Sequence, residues 1–587
     1  MAVYEFGPFR LDVTERLLLR DGQSVPITAK LFDLLLLLIE HSGHLITKEE
    51  LMRRVWPGVS VEDGNLTVSV SKLRKLLGEN HKDREYIETI PWRGYRFAAK
   101  VKEVRGDGAA TARASKEMAT AGEQKAAGSS VAVLPLVKVG TGSSLDFLSD
   151  GITESIINSL SQLPGLRVMA RATVFRYKGR EVSAEEAGEQ LGVETVVVGR
   201  MFQLNDELVG VNIELIKVAD GSQIWGEQYY RKLTDILTMQ EDIATEISDR
   251  LRHKLTGEER SRLARRYTNV AEAYECYLKG RYFWNKYTKN GIEKGIAYFE
   301  RAIELDPDYA LAYSGLADCY FRLSNLYLPP KEALPKAKAV ALKAVELDDA
   351  LAEAHASLGL VKFYYDHDWA GTEREYRLAI KLNPYTPIPH QRYSVYLAHT
   401  GRFDEAIVEC KKALKFDPLS LQVNVWLGAC LYLLRRYNEA TEQLSKVFEI
   451  DPDFFNAHIL LAMIKVQEGK LSEAVAQFKR TCQIEPTSTM AQAYLGYAYG
   501  LAGRRAEAEQ VLEKLDEAAA GRYVSPFARV VVYVGLDDKE KALEWLEVTF
   551  QDHNDYLTWL KVGPELDSLR AEPRFQSLLR RVGFDDD

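Results

Sequence analysis

Apolar and polar residues alternate at the start of the chain and then change to helical spacing. The runs YEFGPFRLD and RLLLRDG alternate apolar with polar residues, which predicts short strands. Three segments with apolar residues three and four positions apart follow at 30–41, 47–56 and 65–77, and each predicts a helix. Thr47 and Glu50 have the spacing of a capping box, which marks the start of the second helix.

The third predicted helix has one apolar and one polar face. Leu66, Val70, Leu73 and Leu77 share the face that is expected to enter the core, whereas Lys72 points the opposite way. The apolar face is therefore expected to hold this helix in the core, and the opposite face is expected to expose charged residues.

Two short strands follow this helix. Residues 86–90 and 95–97 flank a Pro-Trp-Arg-Gly turn, and together they predict a β-hairpin, or wing. Helices followed by a wing form a DNA-reading shape, in which the last helix enters the major groove and the wing reaches the neighbouring minor groove. We therefore predict a winged-helix DNA-binding domain over residues 1–104.

A second region begins after a change in composition. Residues 105–130 are mainly Gly, Ala, Ser and charged residues, which predicts a flexible linker. Beyond it, strand-like runs at 131–136, 195–198, 213–218 and 223–230 surround a helical segment at 151–163, and Asp220-Gly221 predicts a hairpin turn. We predict a compact α/β domain over 131–255 and a connecting helix over 256–270.

The third region repeats itself. Pro384, Pro418, Pro452 and Pro486 are 34 residues apart, and each follows a helical segment. This period, with small residues where helices cross, resembles the tetratricopeptide repeat, in which pairs of antiparallel helices stack into a solenoid. We predict a repeat solenoid over 271–520 and a C-terminal helical cap over 521–587, so the expected fold class is α+β multidomain.

Composition narrows the functional classes. The net charge of −9 excludes a generally polycationic chain, but residues 64–102 carry nine basic and four acidic residues, which leaves a local positive surface for phosphate. No apolar run approaches the length of a membrane span, and no secretory signal is visible, so we expect a cytoplasmic protein. Five cysteines without a C-x-x-C pair indicate buried small residues rather than disulfides or zinc.

The first 104 residues also resemble a known family. The sequences EEL-x-x-x-VW, NLTVSVSKLRKLLG and RGYRF are similar to the winged-helix effector domain of the OmpR/PhoB family, in the ToxR/CadC style that lacks a receiver domain. The resemblance implies that the third helix and the wing contact double-stranded DNA. The candidate DNA-binding residues are Thr67, Ser69, Ser71, Lys72, Arg74 and Lys75 on the helix, and Thr89, Trp92, Arg93 and Tyr95 on the wing.

Simpler interpretations of these residues stay open. Lys72, Arg74 and Lys75 could form an ordinary solvated helix face, and Trp92 could pack on Tyr95 instead of contacting DNA. The turn also departs from the family pattern, because its arginine is displaced by two positions, which puts the minor-groove role of Arg93 in doubt.

The other two regions point to interaction rather than catalysis. Residues 131–255 resemble the amino-terminal domain of TolB, through VAVLP, FLSDGITESI and DGSQIWGEQYYR among others. The repeats are expected to bind a protein or peptide in their groove, whose candidate lining residues are His390, Tyr393, Asn424, His458 and Gln492. The alternative is that the stack serves only as a scaffold for a homodimer.

No motif for catalysis or metal binding stands out. The chain has no Walker A sequence, no H-E-x-x-H and no G-x-S-x-G, and the turn at 366–368 is a weak metal candidate. We expect no enzymatic activity, no cofactor and no metal.

The main hypothesis is a cytoplasmic one-component transcriptional regulator whose α/β and repeat domains sense a partner or ligand. The competing hypothesis is a signalling scaffold in which the winged helix and the repeats both bind proteins.

Overall fold

The chain forms two compact units, which are described separately. The computed structural model describes residues 2–12, 17–20, 23–25, 27, 29–55, 63–77, 86–90, 94–99, 101–105, 130–139, 144–205, 208–232, 235–251, 256, 267–286, 288–324 and 327–584. Unit 1 covers Met1–Gln124 and unit 2 covers Lys125–Asp587. Within those described ranges, no helix is both long and apolar enough to span a membrane.

Unit 1 combines two antiparallel sheets with three helices. A five-stranded sheet has the order β4-β3-β2-β1-β8, and a three-stranded sheet has the order β5-β7-β6. In chain order, the elements are β1 (Ala2–Phe6), β2 (Phe9–Asp12), β3 (Leu17–Arg20), β4 (Gln23–Val25), α1 (Ala29–Glu40), β5 (Leu45–Thr47), α2 (Lys48–Val55), α3 (Asp63–Leu76), β6 (Ile87–Ile90), β7 (Gly94–Phe97) and β8 (Lys102–Arg105).

The predicted helices and wing are confirmed, and their apolar faces form one core. Leu66, Val70 and Leu73 of α3 are fully buried, as the helical spacing indicated. The N–H of Glu50 donates to Thr47 Oγ1 at 3.2 Å, which confirms the predicted N-cap of α2.

Strand β8 was not predicted. It pairs antiparallel with β1, with Val104 opposite Val3, and extends one residue into the segment expected to be a linker. Its sequence, KEVR, is short and charged, so alternation alone does not distinguish it from a loop. The rest of the predicted linker, 106–129, lies outside the described residues.

Unit 2 begins with a six-stranded mixed sheet. Its order is β11-β9-β12-β13-β14, and β10 also pairs with β12. The elements are β9 (Ser130–Val133), β10 (Val137–Val139), α4 (Ser144–Ser161), β11 (Arg167–Val168), α5 (Arg171–Val174), α6 (Ala184–Leu191), β12 (Thr195–Gln203), β13 (Leu208–Lys217), β14 (Gln223–Lys232) and α7 (Ile236–Leu251).

The sheet order explains the hydrophobic pattern of this domain. The parallel strand β9 is buried along its whole length, whereas most residues of β14, at the end of the sheet order, are exposed. The turn between β13 and β14 has Gly221 at φ +67°, which confirms the hairpin predicted from Asp220-Gly221. The predicted connecting helix over 256–270 lies largely outside the described residues, and 267–270 is not helical.

The repeats follow as a series of antiparallel helix pairs. They are α8 (Ala271–Trp284) and α9 (Lys289–Leu305), α10 (Ala310–Leu323) and α11 (Pro330–Leu347), α12 (Ala352–Val361) and α13 (Trp369–Leu382), α14 (Pro387–His399) and α15 (Phe403–Phe416), α16 (Leu421–Leu433) and α17 (Tyr437–Ile450), α18 (Phe455–Gln467) and α19 (Leu471–Ile484), and α20 (Thr489–Leu501) and α21 (Arg505–Ala519). Ala406, Ala440 and Ala474 are fully buried at the equivalent point of the second helix, as the 34-residue period indicated.

The two irregular positions in the repeat pattern have local explanations. The unit between Pro307 and Asp349 is 42 residues long instead of 34, and it accommodates a second helix, α11, that begins at Pro330, where proline is well tolerated. At the turn 366–368, which departs from the repeat pattern, α12 ends in a π-helical turn and His367 adopts φ +50°. Asp368 caps α13 by accepting from the N–H of Gly371 at 2.9 Å.

The predicted C-terminal cap contains a further helix pair. It consists of α22 (Phe527–Gly535) and α23 (Lys539–Gln551), followed by two 3₁₀ turns at Asp555–Trp559 and Pro564–Leu569 and by α24 (Pro573–Val582). The segment after α23 packs against the first helices of earlier repeats. Trp559 lies between His399 of α14 and Trp426 of α16, with ring centroids 5.1 and 6.5 Å away.

The α/β domain is attached to the repeats by a buried ion-pair group. Glu154 of α4 binds Arg281 of α8 at 2.7 Å and Arg171 of α5 at 2.8 Å. Burial acts to raise the pKa of the Glu154 carboxyl, but the two guanidinium groups outweigh burial and lower it. A second attachment joins α5 to the turn after α15, where Thr173 donates to the Asp417 carboxylate and the N–H of Ala170 donates to the Phe416 carbonyl. The two attachments make this domain and the repeats one body.

Candidate nucleic-acid interface

Helix α3 is held by its apolar face, which leaves Lys72 on the opposite face. Leu73 is completely buried next to it in sequence, whereas Lys72 is exposed. A lysine on an exposed helix face can neutralise a DNA phosphate and release its counterion. Ser69 is half-buried on the same helix.

Three other candidates lie on the same helix. The backbone of Thr67, Ser71 and Lys75 belongs to α3, and their side chains lie outside the described part of the chain. Their role as DNA contacts therefore stays a prediction.

Arg74 and Thr89 contact each other, which the sequence did not indicate. The Arg74 guanidinium donates to Thr89 Oγ1 at 2.7 Å and to the Ile87 carbonyl at 2.7 and 3.2 Å. These bonds join the third helix to the first strand of the wing. Arg74 thus positions the wing relative to the helix, and a direct role of Arg74 and Thr89 in DNA contact stays a prediction.

Of the remaining wing candidates, Tyr95 is the one that lies in the described part of the chain. Tyr95 is 4% exposed and belongs to the core of unit 1, which corrects the expectation that it contacts DNA. Its position in β7 places it on the inward face of the sheet, next in sequence to the half-buried Arg96. Trp92 and Arg93 lie outside the described residues.

Three residues that were not among the predicted site residues support the wing. Arg96 and Glu88 face each other across β6 and β7, with nitrogen and oxygen 2.6 Å apart. Gly94 at the start of β7 has φ +156°, and a Cβ there would overlap the Ile46 carbonyl oxygen of β5. Alternating charges in the hairpin and a glycine after the turn were the available sequence signals.

The expected partner-binding residues of the repeats face inward. His390 Nδ1 lies 2.6 Å from the Glu409 carboxylate, and Gln443 donates to the Asn424 side-chain oxygen at 2.6 Å. His458 makes the equivalent contact with Gln477. All three first-helix residues are buried between the two helices of their own repeat, which corrects the expectation that they line an open groove.

The other two candidate partner-binding residues of the repeats are Tyr393 and Gln492. Tyr393 is also buried, and its hydroxyl donates to the Glu373 carboxylate at 2.8 Å. Gln492 is half-buried and donates to the Pro486 carbonyl at 3.1 Å. The polar pairs have a sequence signature, since the partners are 19 residues apart in three successive repeats. At the next repeat that position is the apolar Val511, so Gln492 has no equivalent partner there.

Part of the first-helix surface is covered by the chain itself. His399 of α14 bonds Thr558 at 2.8 Å, and Tyr494 of α20 donates to the Glu565 carboxylate at 3.2 Å. Arg435, just after α16, forms an ion pair of 2.8 Å with Asp567.

Among the described residues, no group of three or more His, Cys, Asp or Glu side chains is arranged to hold a metal.

Comparison with known families agrees with this architecture. Residues 22–97 match the family model described as transcriptional regulatory protein, C terminal. Residues 283–327 and 397–464 match tetratricopeptide-repeat models. The chain therefore has the domain composition of a transcriptional regulator, with an OmpR/PhoB-type DNA-binding domain and tetratricopeptide repeats.

Individual relatives extend these matches. The transcriptional regulator HilA of Salmonella typhimurium is 25% identical over 404 residues, which is 68% of each chain. Putative adenylate cyclase 3 of Rhizobium meliloti is 29% identical over 235 residues, 39% of this chain and only 40% of that relative. The transcriptional activator CadC of Escherichia coli is 37% identical over 83 residues, 14% of this chain and 16% of CadC. Its solved DNA-binding domain has 30% identity and a TM-score of 0.16, covering 17% of this chain and 96% of that structure.

Proposed function

We propose that this protein binds promoter DNA through α3 and the wing, and that unit 2 controls the binding in response to a partner or ligand inside the cell. The observation that carries the proposal is the exposed Lys72 on a helix whose opposite face is anchored in the core. The surrounding segment has nine basic and four acidic residues, which favours a polyanionic partner. The match to HilA, which is named a transcriptional regulator, supports the same function.

Lys72 provides the direct test. Genome-wide crosslinked DNA occupancy should give discrete peaks for the wild-type chain, and Lys72→Glu should abolish them. On a recovered fragment, Lys72→Ala should weaken binding and lower the dependence of log affinity on log salt by about one unit, because one phosphate contact is lost. Arg10→Glu, an exposed charge change on β2, is the matched control and should leave the peaks in place.

The competing function is a signalling scaffold in which the winged helix binds a protein. That function predicts no genomic peaks and no steep salt dependence of binding to DNA. Identical occupancy for wild type and Lys72→Glu would contradict the proposed function and favour the scaffold.

The contacts between the α/β domain and the repeats support the proposed control by unit 2. The α/β domain and the repeats share the buried Glu154–Arg281 pair and the Thr173–Asp417 bond, so a partner on either part acts on one body. We also propose that the α/β domain is of the TolB amino-terminal type, on the residues that carry the resemblance. Because the segment after α23 covers part of the first-helix surface, we place partner binding on other faces of the solenoid or on the α/β domain.

A further inference from the structure

Strand β14 ends the six-stranded sheet with an unusually long edge. It has ten residues, and within the described ranges no strand pairs with its outer side. Typical strands have about five or six residues, and edges are commonly shortened or covered because they invite pairing with another strand. Eight of the ten residues of β14 are exposed or half-exposed, and they lie on both faces, in contrast to the buried start of β12. The edge is therefore accessible for pairing.

Several large apolar side chains of this domain are exposed. Val137, Val139, Leu204, Ile224 and Tyr230 are each 43–59% exposed. They belong to β10, to β14 and to the turn after β12. The other exposed large hydrophobic residues are distributed singly over the repeats, the residue before them and the C-terminal cap. Of these five residues, Ile224 and Tyr230 lie on the edge strand itself, where they add apolar surface, whereas β10 pairs with β12 on the side away from β13.

The sequence of β14 is complementary to itself in an antiparallel arrangement. Glu227 lies two residues before Tyr229, and Arg231 lies two residues after it. All three share the face that packs towards α7, since Tyr229 is buried there and Arg231 reaches Asp242 of α7 at 3.3 Å. If two copies of β14 pair with Tyr229 on the two-fold axis, each Glu227 lies opposite an Arg231 of the other copy.

Other registers are less favourable. Pairing centred on Glu227 or on Arg231 would place like charges directly opposite each other, which destabilises neighbouring strands. The Tyr229-centred register also keeps the α7 layers of both copies on the same side of the joined sheet, because directly opposed residues point to the same face. Among the registers centred on Glu227, Tyr229 or Arg231, the one centred on Tyr229 pairs opposite charges.

We propose that the occupant of this edge is a second copy of the same chain, and that two copies form a continuous sheet through β14 with reciprocal Glu227–Arg231 ion pairs. The contact is isologous, as expected for a two-fold dimer. It uses neither the DNA-binding residues nor the first-helix surface of the repeats.

Sedimentation or light scattering of the full chain over a range of concentrations tests this dimer without DNA. Wild type should form a concentration-dependent dimer. Glu227→Arg should raise the dimer dissociation constant at least about tenfold, because it places two Arg–Arg pairs across the strands, and Arg231→Glu should do the same through two Glu–Glu pairs.

Mixing the two variants separates pairing from simple damage to the fold. One subunit then supplies two arginines and the other two glutamates, so both cross-strand pairs are again attractive, and the mixture should form a heterodimer. Glu189→Arg, on the exposed side of α6, is the matched control and should dimerise like wild type. A wild-type monomer at all concentrations would overturn the proposal, as would dimers that neither variant weakens or a mixture that fails to recover dimerisation.

Discussion

The third helix of the winged helix and the first helices of the repeats both carry polar residues between apolar ones, but they use them differently. On α3, the exposed Lys72 faces away from the core. In the repeats, His390 and Asn424 face the second helix of their own repeat and are buried in hydrogen bonds. Polar spacing alone therefore does not reveal a binding surface. The two cases differ in the residue that packs against the polar side chain. In the repeats, that residue is itself polar and forms a hydrogen bond with it.

The largest effect should come from breaking a pair inside a repeat. We expect His390→Ala to lower the free energy of unfolding by about 2–3 kcal/mol, because it removes a buried ring and leaves the Glu409 carboxylate without that partner. Chemical denaturation of the full chain, followed by far-ultraviolet circular dichroism, measures the change.

Gln492→Ala is the matched change at the equivalent position of a later repeat. Its side chain is half-buried and bonds a backbone carbonyl, so the loss should be well below 1 kcal/mol, on the order expected for a partly exposed site. Equal losses for both variants would remove the distinction between paired and unpaired positions.

A smaller effect is expected in the winged helix. Arg74→Ala should cost about 1–2 kcal/mol of stability in unit 1, since it removes the hydrogen bonds that join α3 to the wing at Ile87 and Thr89. Thermal denaturation of the full chain measures this change when the unfolding transition of unit 1 is followed separately from that of unit 2.

Lys72→Ala serves as the comparison for Arg74. Because Lys72 is exposed, its removal should change stability by less than about 0.5 kcal/mol while still weakening DNA binding. If Arg74→Ala left stability unchanged and weakened DNA binding as Lys72→Ala does, Arg74 would be a DNA contact rather than a positioning residue.

The smallest effect concerns the carboxyl of Glu565. Burial raises its pKa above the ordinary value, against opposing hydrogen bonds from Trp559 and Tyr494. A carboxyl with a raised pKa in the folded state stabilises the fold below its unfolded pKa, and this contribution disappears as the pH rises through the folded pKa. Wild type should therefore lose stability over that range.

Glu565→Gln keeps the shape and an acceptor oxygen but cannot ionise. We expect its melting temperature to exceed that of wild type at pH 8, with the difference shrinking towards pH 4. Calorimetry at both pH values measures this, and Glu572→Gln, on the partly exposed Lys539–Glu572 pair, is a control. A constant difference across pH would contradict the assignment of the effect to ionisation.

Much of the fold could be predicted because its apolar periods are strong. The burial of Leu66, Val70 and Leu73, the cap at Thr47 and the 34-residue alanine series all follow from local spacing. Strand β8 could not be predicted in this way, because its partner β1 is about 100 residues earlier in the chain. The burial of Tyr95 depends on how the wing packs on the helices, and the Arg74–Thr89 bond depends on the same tertiary arrangement.

The attachment of α5 to the turn after α15 also affects the order in which the protein is completed during synthesis. Thr173 and Asp417 are 244 residues apart in the chain. At about 5–20 residues per second, a ribosome needs roughly 12–50 s to add Asp417 after Thr173. Strand β8 completes the sheet of the winged helix at Arg105, long before that point. A growing chain thus has a finished DNA-binding unit well before its α/β domain can acquire its second attachment.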